Sequence, residues 1–186
     1  MQISVIKIVE STTVDGPGLR TTLYAAGCNH RCKGCHNPQS WDINYGTMAD
    51  VEEVAQRLLT TGEDITFSGG DPMFQAEAFA ELATIIKSRS NRNIWCYTGY
   101  SFEQLLRHPQ ALKLLKNIDV LIDGRFVEEL KSEDILFRGS SNQRLIDVQK
   151  SLKAGEIVMY EPMNLLSPLL MKYKRVDNSS LLTPHS

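Results

Sequence analysis

The residues with the clearest chemistry in this chain are three cysteines in one short loop. Cys28, Cys32 and Cys35 stand in the segment AAGCNHRCKGCHNPQSW, and the whole chain has only 4 cysteines. Thiolates this close together usually hold a metal ion or a cluster, or form a disulfide. A disulfide would leave one of the three unpaired, and cysteines this few and clustered do not make the disulfide scaffold of a small secreted domain. A zinc ion and an iron–sulfur cluster are the main interpretations that remain.

These two interpretations differ in how the fourth coordination position is filled. A structural zinc site would take His30 or His36 as its fourth ligand. Closed zinc sites usually combine two short knuckles, and no second knuckle follows this loop. Three thiolates from one wrapping loop instead suit a 4Fe–4S cluster that keeps one iron open to another ligand. The spacing therefore favours the cluster and leaves zinc as the alternative.

Segments typical of strands and helices alternate along the chain, and these elements must position the cysteines. After an alternating N-terminal segment, MQISVIKIVE, the predicted strands are residues 19–26, 65–67, 93–98 and 118–122. The predicted helices are residues 50–59, 74–87, 102–106 and 109–115. This alternation indicates βαβ units, which are too few for a closed eight-fold barrel. We therefore predict an α/β fold with a mostly parallel sheet, arranged as an open, partial (β/α) barrel.

Four loops rich in glycine or polar residues each follow a predicted strand. The cysteine loop is the first, and SGGDP (68–72), YTGY (97–100) and DGRF (123–126) follow the next three. Ligand sites of α/β folds gather at the carboxyl ends of the strands, so we expect these loops to form one site. Cys96 lies inside a predicted strand, and we interpret it as a small buried hydrophobic residue.

Composition narrows the classes of protein to which the chain can belong. It has 186 residues, 42% hydrophobic residues and a net charge of −2, which gives no reason to expect a nucleic-acid or membrane surface. The N-terminal segment lacks the apolar core of a signal peptide, so a cytoplasmic protein is expected. We predict one domain over residues 1–154 and a C-terminal extension over 155–186. This extension carries an apolar run at 165–171 that we expect to dock, and its end is predicted to be disordered.

The arrangement C-x3-C-x2-C in a loop after a strand resembles the signature of the radical S-adenosylmethionine superfamily. This resemblance implies a barrel of the radical S-adenosylmethionine type in which Cys28, Cys32 and Cys35 bind a 4Fe–4S cluster. It further implies that S-adenosylmethionine binds the open iron, accepts one electron and is cleaved to methionine and a 5′-deoxyadenosyl radical. The cofactors then carry the difficult chemistry while the protein orients them.

The same resemblance indicates which residues contact S-adenosylmethionine. SGGDP is similar to the superfamily's GGE-type motif, whose backbone binds the amino group of the cofactor, and Asp71 replaces the usual glutamate. His36 occupies a position after the third cysteine that is usually aromatic and helps to seat the adenine. The positions implied to contact the cofactor are Gly34, Cys35, His36, Gly69, Gly70, Asp71 and Thr98.

A narrower resemblance lies outside these two motifs. TVDGPGLRTTLY (13–24) resembles the DGPG-R segment of activases of glycyl radical enzymes. CHNPQSW, SGGDP, WCYTGY, VLIDGRF and FRGSSNQRLIDV are similar to the activases that act on anaerobic ribonucleoside-triphosphate reductase. This resemblance implies abstraction of a hydrogen atom from one glycine of that reductase, with an electron supplied by a flavodoxin or a ferredoxin-type protein. The alternatives are an activase of another glycyl radical enzyme, a 7-carboxy-7-deazaguanine synthase and, without catalysis, a zinc-stabilised interaction domain.

Several other polar residues are candidates for smaller roles. Asp15 and Arg20 flank a Gly-Pro-Gly turn, and we expect an ion pair between them to hold it. Thr98 and Asp123 match positions that hold a monovalent cation in a related activase. Three residues of FRGSSNQR are equally consistent with a contact to cofactor or partner and with support of the fold: Arg138, Ser140 and Asn142.

Overall fold

The computed structural model describes residues 1–161, which form a single sheet covered by helices. The strands are β1 (Gln2–Thr12), β2 (Arg20–Ala25), β3 (Thr47–Asp50), β4 (Asp64–Gly69), β5 (Ile94–Tyr97), β6 (Val120–Asp123) and β7 (Arg144–Asp147). The helices are α1 (Val51–Thr60), α2 (Ala76–Arg89), α3 (Phe102–Leu105), α4 (Pro109–Leu115) and α5 (Val148–Ala154). None of these helices is both long and apolar enough to cross a bilayer.

The sheet has 7 strands in the order β3-β1-β2-β4-β5-β6-β7. Its centre is parallel, because β2, β4, β5 and β6 pair with their neighbours in the same direction. β1 is antiparallel to β2 and to β3, and β7 is antiparallel to β6. Only β1 and β7 therefore run against the other strands. The edge strands β3 and β7 do not pair with each other within residues 1–161, so the sheet is open.

The predicted elements are all present, with ends shifted by a few residues. β3, β7 and α5 were not predicted from the sequence. β3 and β7 have only 4 residues each and form the two edges of the sheet, so no long buried run marks them. α5 begins after Asp147, whose carboxylate accepts a hydrogen bond from the Lys150 N–H, and it ends at Gly155 in the left-handed conformation.

The two faces of the sheet have different environments. One face packs against all five helices in a continuous apolar layer, to which the strands contribute Leu23, Phe67 and Cys96. Cys96 is fully buried there, as predicted. The opposite face carries a smaller apolar cluster centred on Trp95, and no helix covers it in the part of the chain that the structure describes. This uncovered face borders the cavity that is described below.

Residues after α5 extend the antiparallel edge of the sheet. The N–H of Tyr160 donates to the carbonyl of Leu145 at 2.8 Å, and the Tyr160 ring packs edge-on against Trp95 at 5.3 Å. The apolar run predicted to dock, residues 165–171, lies outside the described residues. The division of the chain at residues 154 and 155 stays a prediction.

Candidate functional site

An open cavity of about 630 Å³ lies at the carboxyl ends of the parallel strands. Its lining includes Cys28, Cys32 and Cys35 from the loop after β2, Gly69 at the end of β4 and Gly70 directly after it. Thr98 and Gly99 line it from the loop after β5, and Phe126 lines it from the loop after β6. The four loops thus meet at one site, as their positions after successive strands predicted.

The cysteine loop begins and ends on backbone hydrogen bonds that close it into a ring. The N–H of Gly27 donates to the carbonyl of Ser40 at 2.8 Å, and the N–H of Cys28 donates to the carbonyl of Trp41 at 3.0 Å. Gly27 has a φ of 90°, which favours glycine and turns the chain sharply out of β2. All three cysteines of the loop are free and partly buried. The fold therefore presents three thiols to one cavity from a single closed loop.

The electrostatics of these thiols fit a site that is completed by a bound cation or cluster. Burial raises the pKa of Cys28 and of Cys32, so both favour the neutral thiol until an electropositive group binds them. Of the two histidines proposed for zinc, His30 is occupied by its contact with Asp71, whereas His36 lines the same cavity as the cysteines and packs against Phe126. Three soft thiolate donors suit an iron–sulfur cluster.

The SGGDP loop packs directly on the start of the cysteine loop. The N–H of Gly70 donates to the carbonyl of Ala25 at 2.8 Å, and the N–H of Asp71 donates to the carbonyl of Gly27 at 2.9 Å. The Gly70 carbonyl has no hydrogen-bond partner among the described residues. Because Gly70 lines the cavity, this loop offers a carbonyl acceptor to a bound molecule. Such an acceptor fits the ammonium group of an amino acid.

The carboxylate of Asp71 is buried and joins three of the loops. It lies 2.8 Å from His30 Nε2, and it accepts hydrogen bonds from Thr98 Oγ1 at 3.0 Å and the Gly99 N–H at 3.0 Å. The Met73 N–H donates to its other oxygen at 2.9 Å. Asp71 does not line the cavity, so its side chain serves the arrangement of the loops. The sequence analysis identified Asp71 but missed its partner His30, which it considered only as a zinc ligand.

The remaining residues implied to seat the cofactor divide into two groups. His36 lines the cavity, and its ring lies 5.1 Å from that of Phe126, an aromatic residue that the sequence analysis did not single out. The signal in the sequence that could have identified Phe126 is its position after Asp-Gly-Arg, just beyond the end of β6. Gly34 does not line the cavity, and a Cβ there would lie 2.7 Å from a carboxylate oxygen of Glu128.

Thr98 and Asp123 do not share a site in this structure. Thr98 donates to Asp71, as described above, whereas the buried Asp123 carboxylate is bound by Arg144, with Arg144 Nε at 2.9 Å. The N–H of Phe102 donates to the same carboxylate at 2.8 Å. The Arg144 guanidinium therefore already neutralises the Asp123 carboxylate, which a monovalent cation would need as a ligand.

The expected ion pair between Asp15 and Arg20 is wrong. Arg20 is buried beneath the Gly-Pro-Gly turn, where its Nε donates to Thr66 Oγ1 at 2.8 Å and its guanidinium donates to the carbonyl of Ile65. Burial lowers the pKa of Arg20 to about 10. Asp15 instead accepts a hydrogen bond from the Tyr24 hydroxyl at 2.7 Å at the wall of the cavity. Arg20 thus joins β2 to β4, and Asp15 belongs to the site.

The three polar residues of FRGSSNQR separate into one cavity residue and two structural ones. Arg138 lines the cavity, and its buried Nε has no hydrogen-bond partner among the described residues. Ser140 is buried and accepts from the Val127 N–H at 3.2 Å. Asn142 donates to the carbonyl of Arg125 at 2.9 Å. Ser140 and Asn142 therefore support the fold, and only Arg138 is placed to meet a ligand or partner.

Comparison with known proteins first defines the class of this chain. The family model described as "4Fe-4S single cluster domain" matches residues 14–146, a span that contains the cysteine loop and the other loops of the cavity. The chain is thus a single-cluster iron–sulfur domain protein, as the cysteine spacing predicted.

Curated relatives then define the family more narrowly. The anaerobic ribonucleoside-triphosphate reductase-activating protein of Enterobacteria phage T4 is 39% identical over 139 residues, covering 71% of this chain and 86% of the phage protein. The protein of that name from Vibrio cholerae is 36% identical over 140 residues, with 70% and 88% covered. The Escherichia coli protein is 36% identical over 139 residues, with 70% and 89% covered. The chain belongs to the family of anaerobic ribonucleoside-triphosphate reductase-activating proteins.

Proposed function

We propose that this chain is a radical S-adenosylmethionine activase that forms a glycyl radical on an anaerobic ribonucleoside-triphosphate reductase. The observation that carries the proposal is that the three clustered thiols and the Gly69-Gly70 backbone line the same cavity. Membership of the family of activating proteins supports the choice of the reductase as partner. The open sheet with its parallel centre is consistent with a partial (β/α) barrel of the radical S-adenosylmethionine type.

In the proposed site, Cys28, Cys32 and Cys35 hold a 4Fe–4S cluster, and the fourth iron is left for S-adenosylmethionine. When bound, the reduced cluster would supply one electron to the sulfonium of S-adenosylmethionine, whose cleavage to methionine and a 5′-deoxyadenosyl radical would provide the species that takes a hydrogen atom from glycine. The loop that carries the thiols is closed by backbone hydrogen bonds, so the ligands are held together before the cluster binds.

The protein's part in cofactor binding lies in the SGGDP loop and the rings beside it. Gly70 is proposed to accept a hydrogen bond from the ammonium group of S-adenosylmethionine, because Gly70 lines the cavity and its carbonyl has no hydrogen-bond partner among the described residues. His36 and Phe126 offer ring surfaces at the same cavity for the adenine. Both contacts follow from groups that are already oriented by the fold.

The open face of the sheet gives the protein substrate a route to the site. The cavity wall away from the cysteines includes the exposed Val14 and the irregular segment from Lys131 to Gly139. An extended peptide segment of the reductase that carries the target glycine is proposed to enter here, and it would bind through main-chain contacts at an ordering cost. The electron is proposed to come from a flavodoxin or a ferredoxin-type protein, and the proposed location of the reaction is the cytoplasm, where thiols stay reduced.

The experiment that tests this function combines the iron-loaded chain with S-adenosylmethionine, a reductant and the anaerobic reductase under anaerobic conditions. The expected result is an electron paramagnetic resonance signal of a glycyl radical on the reductase, together with 5′-deoxyadenosine and methionine as products. Omission of S-adenosylmethionine is the matched control. Cleavage of S-adenosylmethionine without a radical on the reductase would point to another glycyl radical enzyme as partner. A colourless, zinc-containing protein would refute the proposal.

A further inference from the structure

We infer that His30 is a positioning residue that fixes the cysteine loop against the SGGDP loop, which is proposed to bind S-adenosylmethionine, and against the neighbouring YTGY loop. His30 lies between the first two cysteines of the loop and contacts Asp71 in the SGGDP loop, 41 positions away in the sequence. This inference rests on the proposed function, because it assigns His30 a task in the alignment of cluster and cofactor.

The contact between the two side chains is short and shielded from water. His30 Nε2 lies 2.8 Å from Asp71 Oδ2, and the side chains are only 5% and 2% exposed. A hydrogen bond to a buried carboxylate is stronger than one between neutral groups, and loss of one partner of such a bond is costly. The contact is therefore able to resist displacement of one loop against the other.

The other bonds of Asp71 determine which atom carries the hydrogen. Thr98 Oγ1 accepts a hydrogen bond from the Tyr100 N–H, so its own hydrogen is free to be donated to Asp71. The Gly99 and Met73 N–H groups are donors as well. The other three contacts of the Asp71 carboxylate are all with donors, so we assign the donor in this contact to His30 Nε2 as well. His30 Nδ1 is buried and has no partner among the described residues, so Nε2 makes the ring's described hydrogen bond.

The ring is also seated sterically on the loop after β5. A Cβ at Gly99 would collide with the ring of His30, and the ring of Tyr100 lies edge-on to it at 4.4 Å. The imidazole therefore fills a slot formed by the YTGY loop while it bonds to the SGGDP loop. The His30 side chain of the cysteine loop thus contacts both neighbouring loops.

The conformation of the cysteine loop explains why such a hold is needed. Arg31, the next residue, has a φ of 46°, a left-handed conformation that costs energy for a residue other than glycine. Cys28 lies only two positions before His30 and three before Arg31. Release of the His30 side chain would let this strained turn relax and would move the Cys28 sulfur with it. The expected consequence is misalignment of cluster and cofactor.

The test compares two substitutions in the iron-loaded chain. His30→Phe keeps a planar ring for the slot but removes the donor to Asp71, whereas His30→Gln places an amide N–H near the position of Nε2. Iron content, the affinity for S-adenosylmethionine and the resonance spectrum of the reduced cluster are measured for both variants and the parent. We expect His30→Phe to bind S-adenosylmethionine about tenfold to a hundredfold more weakly and to lose the spectral change that the cofactor causes. His30→Gln should restore both towards the parent.

The outcomes separate this inference from the proposed function. If His30→Phe fails to retain iron while His30→Gln retains it, the hydrogen bond is needed to hold the loop, and the inference stands. Parent-like affinity and spectra in His30→Phe would overturn it. Equal impairment of both variants would also overturn it, because the ring rather than the donor would then matter. A parent chain that is full of iron but does not bind S-adenosylmethionine would refute the proposed function and remove the inference with it.

Discussion

Gly70 lies so close to Gly27 that a Cβ at position 70 would stand 2.5 Å from the Gly27 carbonyl oxygen. The same Cβ would lie 2.8 Å from the carbonyl oxygen of Ser40. Both oxygens belong to the backbone that closes the cysteine loop, and backbone cannot swing aside as a flexible side chain can. The glycine of the SGGDP loop is therefore required by the packing of two loops, in addition to any approach of a cofactor.

This contact predicts that Gly70→Ala disturbs the cluster as well as the cofactor. The added methyl group should push the SGGDP loop away from the Gly27 turn and destabilise the protein by about 1–3 kcal/mol. We expect a lower iron content per chain and a lower melting temperature, measured by iron analysis and thermal unfolding. Ser68→Ala is the matched control, since it changes the same loop without added bulk. Normal iron content and stability, with loss of S-adenosylmethionine binding alone, would instead assign the glycine solely to the cofactor.

The sequence was sufficient for the elements whose signals are local. The helical spacing of Val51, Val54 and Leu58 and the apolar run at 118–122 predicted α1 and β6 within about two residues. The edge strands β3 and β7 were missed because each is short and is defined by its pairing with a distant strand. The open, partial (β/α) barrel was predicted from the number of βα units and its type from the resemblance, and both stay proposals.

Within the site, the sequence indicated which loops meet but not how their side chains pair. Spacing alone singled out Cys28, Cys32 and Cys35 as candidate ligands, because they lie together in one short loop. Arg20 was assigned to Asp15 because they are neighbours in the sequence, whereas the fold sends Arg20 across the sheet to Thr66. The contact of His30 with Asp71 exists only because two loops from different βα units converge. Pairings of this kind depend on the register of strands that lie far apart in the sequence.

Three of the four cysteines are predicted to be required for iron binding, and the fourth is predicted not to be. Cys28→Ala, Cys32→Ala or Cys35→Ala should each abolish cluster binding, because three thiolates are the minimum and the loop has no spare ligand. Cys96→Ala should keep the cluster, since Cys96 is fully buried on the helical face and burial raises its pKa well above the ordinary value. It should cost only about 1 kcal/mol of stability. Iron and sulfide analysis of the four variants checks this, and a full complement of iron in Cys32→Ala would contradict the ligand assignment.

Arg144 is predicted to be important for stability because it neutralises a buried carboxylate. The Asp123 side chain is only 1% exposed, and Arg144 binds it through two nitrogens. Arg144→Met would leave that charge buried without its partner, at a cost of about 3 kcal/mol. For a domain of this size the melting temperature should fall by about 6–12 °C. The double variant Arg144→Met with Asp123→Asn should recover part of the loss, and an unchanged melting temperature in Arg144→Met would contradict the prediction.

The second carboxylate on Arg144 predicts a small loss of stability in acid. Hydrogen bonds from Arg144 lower the pKa of Glu103 from 4.5 to about 2. A carboxyl group with a lowered pKa in the folded state contributes stability above its ordinary pKa, and that contribution is lost as the pH falls from 4.5 towards 2. The side chain is half exposed, so the contribution should stay below about 1 kcal/mol.

The melting temperature of the parent should exceed that of Glu103→Gln at neutral pH, and the difference should shrink as the pH falls through this range. A difference that does not change with pH would contradict the assignment.

The segment after α5 is predicted to stabilise the edge of the sheet. Chains ended after Gly155 and after Glu161 both lack residues 162–186, so a comparison of the two isolates residues 156–161. The shorter chain loses two backbone hydrogen bonds to β7, which join Asp147 to Val158 and Tyr160 to Leu145. It also loses the Tyr160 ring from Trp95, which is fully buried in the present structure. Burial of an aromatic side chain contributes about 1.5–3 kcal/mol, so the shorter chain should melt at least about 3 °C lower.

Both chains should still bind iron, because the cysteine loop and the loops that contact it lie upstream of either end. Equal melting temperatures would show that this segment does not support the sheet, and loss of iron only from the shorter chain would show that the sheet edge holds the site in place.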